Sequence, residues 1–204
     1  IHLAKWLRET KAGANRLTYR LLFLPETIGA ITYLARHGGH LKANVVAGFQ
    51  VVCVGGPGPF TLLHSRRANT LADRIAKHVL GHHGDFREVG FPERGSDERQ
   101  WCSIGFDLPV ASIMRSKYHD YAAYHTSLDD LAFVRPGHLA ESFEVYTKCI
   151  DALEHNKLPA AVVTEGEPNL GRRGLFSMTG GATHRHDLAQ AMFAILAYAD
   201  GETD

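Results

Sequence analysis

Three short stretches, far apart in the chain, carry side chains able to do acid–base or metal chemistry. Glu26 stands in "FLPETIG", directly after an apolar run and ahead of a helical pattern. A carboxylate there would be partly desolvated, and desolvation raises a carboxyl pKa toward the range of a general base. It would equally suit a helix N-terminus, where the macrodipole favours negative charge, and the sequence leaves these two readings level. Asp97 and Glu98 occupy "ERGSDERQW", flanked by Arg94 and Arg99. A solvated, internally salt-bridged loop is the commoner meaning of such a stretch. A functional loop would use Asp97 to orient a ligand histidine, with Trp101 as an apolar wall. His125 follows Tyr124 in "YAAYHTSLDDLAFV". Its imidazole could ligate a metal, or it could be the polar edge of a loop whose Ser127 or Asp129 caps the next helix.

Other patterns carry less. "GGPGP" lacks the helix-opening phosphate pattern of a nucleotide loop, and neither HExxH nor GxSxG occurs. His184 and His186 have a spacing that could bind metal, yet glycine-flanked polar surroundings favour a surface role.

The elements that must position these groups alternate. Residues 2–11 read as a helix with Leu3, Trp6 and Leu7 on one face. "RLTYRLLFLP", Arg16 to Pro25, reads as the clearest strand, and a helix follows from Thr27 to about Arg36, ended by Gly38-Gly39. "VVAGFQVVCVGG" is nearly continuous apolar strand, as expected where helices cover both faces of a parallel sheet. A short strand at Phe60–Leu63 precedes "NTLADRIAKHVLG", an amphipathic helix capped by Asn69 and stopped by Gly81. Strands at Asp85–Val89 and in "LPVASIMR" come next, then a helix from Pro136 to about Asn156. Residues 158–204 are a glycine-rich stretch and a last helix from Asp187 to about Ala199. This alternation predicts an α/β domain over residues 1–157, a mostly parallel central sheet with helices on both faces. In such sheets reactive groups lie beyond the carboxyl ends of strands, where the loops of Glu26, Asp97 and His125 are all expected.

A chain of 204 residues suits one sizeable α/β domain. Its 22 basic residues balance 22 acidic ones, which argues against nucleic acid or an anionic membrane as an electrostatically recruited partner. No apolar run approaches the roughly 20 residues of a membrane span. Cys53, Cys102 and Cys149 are too scattered for a disulfide framework and suit a reducing, cytoplasmic setting.

Taken together, "FLPETIG", "RGSDERQWCSIGFDLPVASIMRS", "YHTSLDDLAFV" and "EGEPNLGRRGL" resemble an aminopeptidase-like family known as a bacterial domain of unknown function. Its members are similar to zinc-dependent aminopeptidases of the phosphorylase/hydrolase-like fold, and some stand near polysaccharide biosynthesis. The resemblance implies a zinc-exopeptidase-like fold, zinc as cofactor, and a peptide or small amine-bearing substrate. In that group a Glu after a central strand is the general base, which corresponds to Glu26. The late His-Thr pair supplies a metal ligand, which corresponds to His125. The Ser-Asp loop corresponds to Ser96-Asp97 and, with Glu98 and Tyr124, would shape the substrate pocket. Two departures stand out: the group's second Glu is Thr27 here, and a strand that delivers a metal-binding Asp ends as Cys53-Val54-Gly55-Gly56. The resemblance also places the first His and bridging Asp upstream of Ile1, and a winged-helix-like segment after "DGETD". The expectation is a fragment truncated at both ends, with an incomplete metal site, weak zinc binding and little peptidase activity. An exposed sheet edge left by such truncation would favour a homo-oligomer. The alternative is a non-catalytic binding or regulatory domain on the same fold, linked to polysaccharide biosynthesis.

Overall fold

A computed structural model describes residues 1–10, 13–175 and 183–202. The chain divides into two compact units, Ile1–Glu154 and His155–Asp204. The first holds helices α1 (His2–Thr10), α2 (Ile28–Asn44), α3 (Leu71–His83), α4 (Glu98–Trp101) and α5 (Pro136–His155), the last ending at the boundary. Its strands are β1 (Gly48–Gln50), β2 (Phe60–Leu63), β3 (Phe86–Val89) and β4 (Val110–Arg115). They form one sheet in the order β1-β4-β2-β3. The β1–β4 and β2–β3 pairs are parallel and the central β2–β4 pair is antiparallel, so the sheet is mixed. The carboxyl ends of β1 and β4 therefore point the same way, with Phe60 at the start of β2 opposite Arg115 at the end of β4.

Period-two burial explains how this sheet is held. Phe60, Leu62, Ala111 and Ile113 pack with Ile75, Val79, Val145, Cys149 and Leu153 of α3 and α5. Alternate residues serve the other face, where Val110 packs with Leu34 and Leu41 of α2 and Trp101 of α4, and Met114 with Leu63 and Tyr118. Every residue of β2 is buried, as are the first five of β4. On α5 the buried stripe runs Ser142, Val145, Tyr146, Cys149, Ile150 and Leu153, the spacing of one helical face.

Three elements differ from the sequence reading. Arg16–Pro25 joins no ladder among the described residues. Its first amides turn instead to Glu154: Arg16 N–H donates to Oε2 at 2.5 Å, Leu17 N–H to Oε1 at 3.2 Å, and the Tyr19 hydroxyl to Oε1 at 2.7 Å. Leu21, Leu22 and Phe23 remain exposed. The apolar run at 45–56 pairs only over Gly48–Gln50, because Cys53 adopts φ 51°, outside the extended region. α2 does not stop at Gly38-Gly39 but continues to Asn44. Gly38 is a contact glycine: a Cβ there would meet the Phe106 ring at 2.2 Å. α3 is capped one residue later than expected, at Thr70, whose N–H and hydroxyl donate to Asp73 Oδ2 at 2.8 and 2.7 Å. It ends at Gly84 rather than Gly81.

The second unit contains α6 (Thr183–Tyr198), a 3-10 turn at Gly171–Arg173 and an antiparallel bridge between Ala160 and Asp200. The side chains of His184 and His186 lie outside what is described. No described helix is long and apolar enough to cross a membrane.

Candidate active site

Two loops that lie 70 residues apart in sequence are stitched together by hydrogen bonds. Ser96 Oγ donates to Glu26 Oε1 at 3.0 Å, and Thr27 N–H donates to Asp97 Oδ1 at 2.7 Å. Arg99 adds a third link, to the Thr27 hydroxyl at 2.8 Å. Thr27 holds φ 63°, a left-handed conformation that costs a β-branched residue energy. That geometry aims its N–H at Asp97 rather than into α2.

Glu98 fixes the second loop from below. It is fully buried, and its Oε1 accepts from Gly95 N–H at 2.8 Å, Ser96 N–H at 2.9 Å and the Tyr118 hydroxyl at 2.8 Å. Ser112, in the middle of β4, donates to Oε2 at 3.4 Å. Gly95 also donates to the Tyr118 oxygen at 2.7 Å, and a Cβ on Gly95 would meet the Tyr118 ring at 2.6 Å. The loop can approach the tyrosine this closely only through glycine. Burial, with Glu98 adjoining, pushes the Tyr118 hydroxyl pKa up, so Tyr118 stays a donor. Glu98 thus touches no solvent and acts through the loop that carries Ser96 and Asp97.

Asp97 is itself buried, and burial raises its carboxyl above the usual range against the opposing pull of the Thr27 N–H; the charges of Glu26 and Glu98 raise it further. Glu26 is exposed, so the desolvation expected for it is not the setting the fold provides. The raised carboxyl in this pair of loops is Asp97 instead.

Beyond the ends of β1 and β4 lies an aromatic wall. Tyr118 and Tyr124 have ring centroids 6.5 Å apart, Tyr121 and Tyr124 lie edge to face at 5.6 Å, and Tyr121 stacks on Phe133 at 4.7 Å. Cys53 sits against it, with Sγ 4.0 Å from the Tyr121 oxygen, and burial pushes its thiol pKa up. Burial also raises the Tyr124 hydroxyl, with the charges of Cys53 and Glu26 adding to it, which places Tyr124 within electrostatic reach of Glu26. His125 is exposed, at φ 59°, with its ring stacked on Tyr124 at 3.9 Å and 17°. No hydrogen bond joins Asp97 to His125 among the described residues. The fold therefore brings Glu26, Ser96, Asp97 and Glu98 into one bonded group. Tyr118, Ser112 and Tyr121 join it without having been singled out by sequence; the one available signal was their position on or just beyond an apolar strand.

A catalytic zinc takes three protein ligands and a water. Among the described residues no group of three or more His, Cys, Asp or Glu side chains is placed to hold a metal ion. These residues by themselves do not fit the zinc that the resemblance implies.

Comparison with known proteins agrees with the sequence motifs. Residues 1–156 match the family described as domain of unknown function (DUF4910), and residues 157–204 match a winged helix-turn-helix. Because winged helix-turn-helix modules can bind nucleic acid, the balanced charge does not exclude that partner for the whole chain. The chain is 38% identical over 201 residues to a Clostridium acetobutylicum protein named for polysaccharide biosynthesis and an aminopeptidase-like domain. That match takes in 98% of this chain and 45% of the relative, so the chain spans less than half the length of the curated relative it matches. A crystal structure described as a candidate peptidase from the same organism aligns with TM-score 0.80 and 34% identity, over 98% of this chain and 44% of that one. The LapA aminopeptidase of Legionella pneumophila aligns with TM-score 0.51 and 18% identity, over 63% of this chain and 36% of that one, a likeness of fold alone. With more than half its length matched, the chain belongs to the DUF4910 family, a family of aminopeptidase-like domains.

Proposed function

We propose that this domain is part of a hydrolase centre acting on a peptide or another small amine-bearing substrate, with Glu26 as the carboxylate that takes and returns a proton. The observation that carries the reading is the bonded pair of loops, in which Ser96 holds Glu26 by one oxygen and Asp97 holds the backbone beside it. Ser96 fixes the orientation of Glu26 and leaves Oε2 to face a substrate or water. Asp97, buried beside it, offers a carboxyl that can meet an amine, and Tyr124 supplies an apolar face next to Glu26. In this reading His125 is a metal donor at the rim, and zinc would supply Lewis acidity. No step is assigned to zinc, because the described residues do not complete a site for it.

Aminoacyl p-nitroanilide hydrolysis by a protein of the relative's full length, with and without added zinc, tests the proposal. Glu26→Gln should abolish turnover while leaving thermal stability unchanged, and full activity in that variant would sink the reading. Calorimetric zinc titration of this chain and of His125→Ala tests the metal role separately. Tight stoichiometric binding lost in His125→Ala would establish a site stronger than these residues suggest.

A second reading is a binding or regulatory domain that keeps the hydrolase fold, with a link to polysaccharide biosynthesis. It is favoured by the missing three-donor group and by Cys53 standing where the resembled enzymes carry a carboxylate. Silence of the full-length protein across a substrate panel, with Glu26→Gln indistinguishable from wild type, would select it.

A further inference from the structure

A second pocket lies away from Glu26 and Asp97, between the start of β2, the middle of β3 and the turn after β4. It has a volume of about 130 Å³ and is walled by Gly58, Thr61, Arg87, Ser116, Lys117 and Asp120, with Tyr121 at its edge. Lys117 is the unusual member. Lysine is rarely buried without close partners, yet Lys117 is only 6% exposed. Its ammonium has three protons to donate and none is well placed. Nζ stands 3.6 Å from Glu93 and 3.6 Å from Asp120, and its one hydrogen bond, to the Tyr118 carbonyl, is 3.4 Å long. Charge-assisted bonds of an ammonium normally close to about 2.8 Å. Lys117 is therefore held near oxygens that do not close on it.

The rest of the wall repeats the pattern. Arg87 reaches Asp120 with a single nitrogen at 2.9 Å, leaving other guanidinium protons free to turn, and its side chain is half exposed. Ser116 accepts the Gly58 N–H at 2.7 Å, which leaves its own hydroxyl proton to give. Two cations face a single carboxylate across the pocket, an excess of one positive charge. Donors thus outnumber acceptors, and the volume equals about four waters at ~30 Å³ each. That admits a carboxylate or phosphate head group and excludes a sugar ring or a dipeptide.

We propose that this pocket binds a small oxyanion group, carboxylate or phosphate, through Lys117, Arg87 and the Ser116 hydroxyl. Asp120 competes with the ligand for both cations. The site stands on its own geometry and does not depend on the hydrolase reading. Where both hold, Tyr121 joins them, since it edges this pocket and also contacts Cys53 and Asp129.

The test is titration of the chain with sodium phosphate and, separately, sodium acetate, at constant ionic strength set with chloride and read by the amide resonances of Gly58, Ser116 and Lys117. Saturable shifts are expected with at least one anion, and the tighter of the two identifies the head group. Lys117→Met should weaken binding about tenfold or more, Arg87→Gln should weaken it, and Asp120→Asn should tighten it by freeing both cations. Shifts that stay linear to on the order of 100 mM overturn the proposal, as does unchanged affinity in Lys117→Met. If Lys117→Met fails to fold, the half-exposed Arg87 and Asp120 carry the test: tighter binding in Arg87→Gln or weaker binding in Asp120→Asn overturns it equally.

Discussion

Replacing Glu98 by alanine is the most direct probe of how the candidate site is built. The side chain is fully buried, and Oε1 takes donors from Gly95, Ser96 and Tyr118 within 2.9 Å. Gly95 N–H keeps a partner without it, because the Tyr118 oxygen lies 2.7 Å away. Ser96 N–H and the Tyr118 hydroxyl proton do not. A buried donor left unsatisfied costs roughly 1–3 kcal/mol, so two of them give about 2–6 kcal/mol before any term for the cavity. A domain is stable by only about 5–15 kcal/mol, so the loss should be plain in urea unfolding as a lower midpoint at constant slope. Glu98→Gln keeps one acceptor oxygen for the same donors and should lose much less. The loop that orients Glu26 rests on this carboxyl, so peptidase activity of the full-length protein, if present, should fall in Glu98→Ala even at temperatures where it is folded. A loss below about 1 kcal/mol would refute the reasoning, since it would mean water or a shifted loop satisfies both donors at little cost.

Asp97→Asn keeps an oxygen to accept the Thr27 N–H but removes a charge that burial disfavours. The folded carboxyl lies above its unfolded value of about 3.9, so the ionised form costs stability above that folded value and the cost fades as pH falls through it. Asp97→Asn should therefore melt higher than wild type at neutral pH, with the advantage closing toward about pH 4; a variant equally destabilised at both pH values would contradict this. Gly38→Ala should cost about 1–3 kcal/mol in chemical unfolding, despite alanine's better helix propensity, because the new methyl must displace the Phe106 ring. A neutral result would show that the half-buried ring moves freely. Thiol labelling at neutral pH should be slow for all three cysteines, with Cys53 first: burial raises each thiol, Cys149 to about 12, and only Cys53 is partly exposed. Rapid modification of Cys53 at neutral pH would instead point to a thiolate held by groups other than those described.

What the sequence revealed divides along physical lines. β2, β4, α3 and α5 were legible because each buries a face whose period is local: runs such as "SIMR" and the stripe from Tyr146 to Leu153 carry their own signal. The errors came where tertiary contact overrides local preference. Gly38 reads as a helix stop until Phe106 is found pressed against it. Arg16–Pro25 has the composition of a strand, yet Glu154 at the far end of α5 takes its first amides. The candidate site failed in the same way. Glu26 was expected to be shielded because an apolar run precedes it, but the residues of that run stay exposed. The buried carboxyls are those of "SDE", a stretch whose polarity makes it read as solvated loop. Nothing local distinguishes Glu98 on the surface from Glu98 beneath a loop; the difference lies in Tyr118 and Ser112, which arrive from β4 and its end.

The backbone marks the same region independently. Seven non-glycine residues hold positive φ, and five of them, Thr27, Cys53, Ser116, His119 and His125, lie just after the 16–25 segment or beyond the carboxyl ends of β1 and β4. Thr27 is β-branched, for which a left-handed conformation is most costly. Each such residue costs on the order of 1 kcal/mol, and nothing in the turn chemistry demands the expense, since glycine would fill these positions without it. The chain does place glycine nearby, at Gly55, Gly56 and Gly58, where room for a Cβ is lacking. Bulk is thus excluded from some positions, while strained positions keep a threonine, a cysteine, a serine and two histidines. Strain that persists next to freely used glycine argues that the side chains themselves are needed. Two of those five belong to the groups already argued here on other grounds: Thr27 holds Asp97, and Ser116 lines the oxyanion pocket. His125 then gains a reason to stay at a strained, exposed position that its ring stacking on Tyr124 alone does not supply. Replacing His125 by glycine, which relieves the strain and removes the imidazole, separates the two: stability should rise, and any zinc affinity should fall.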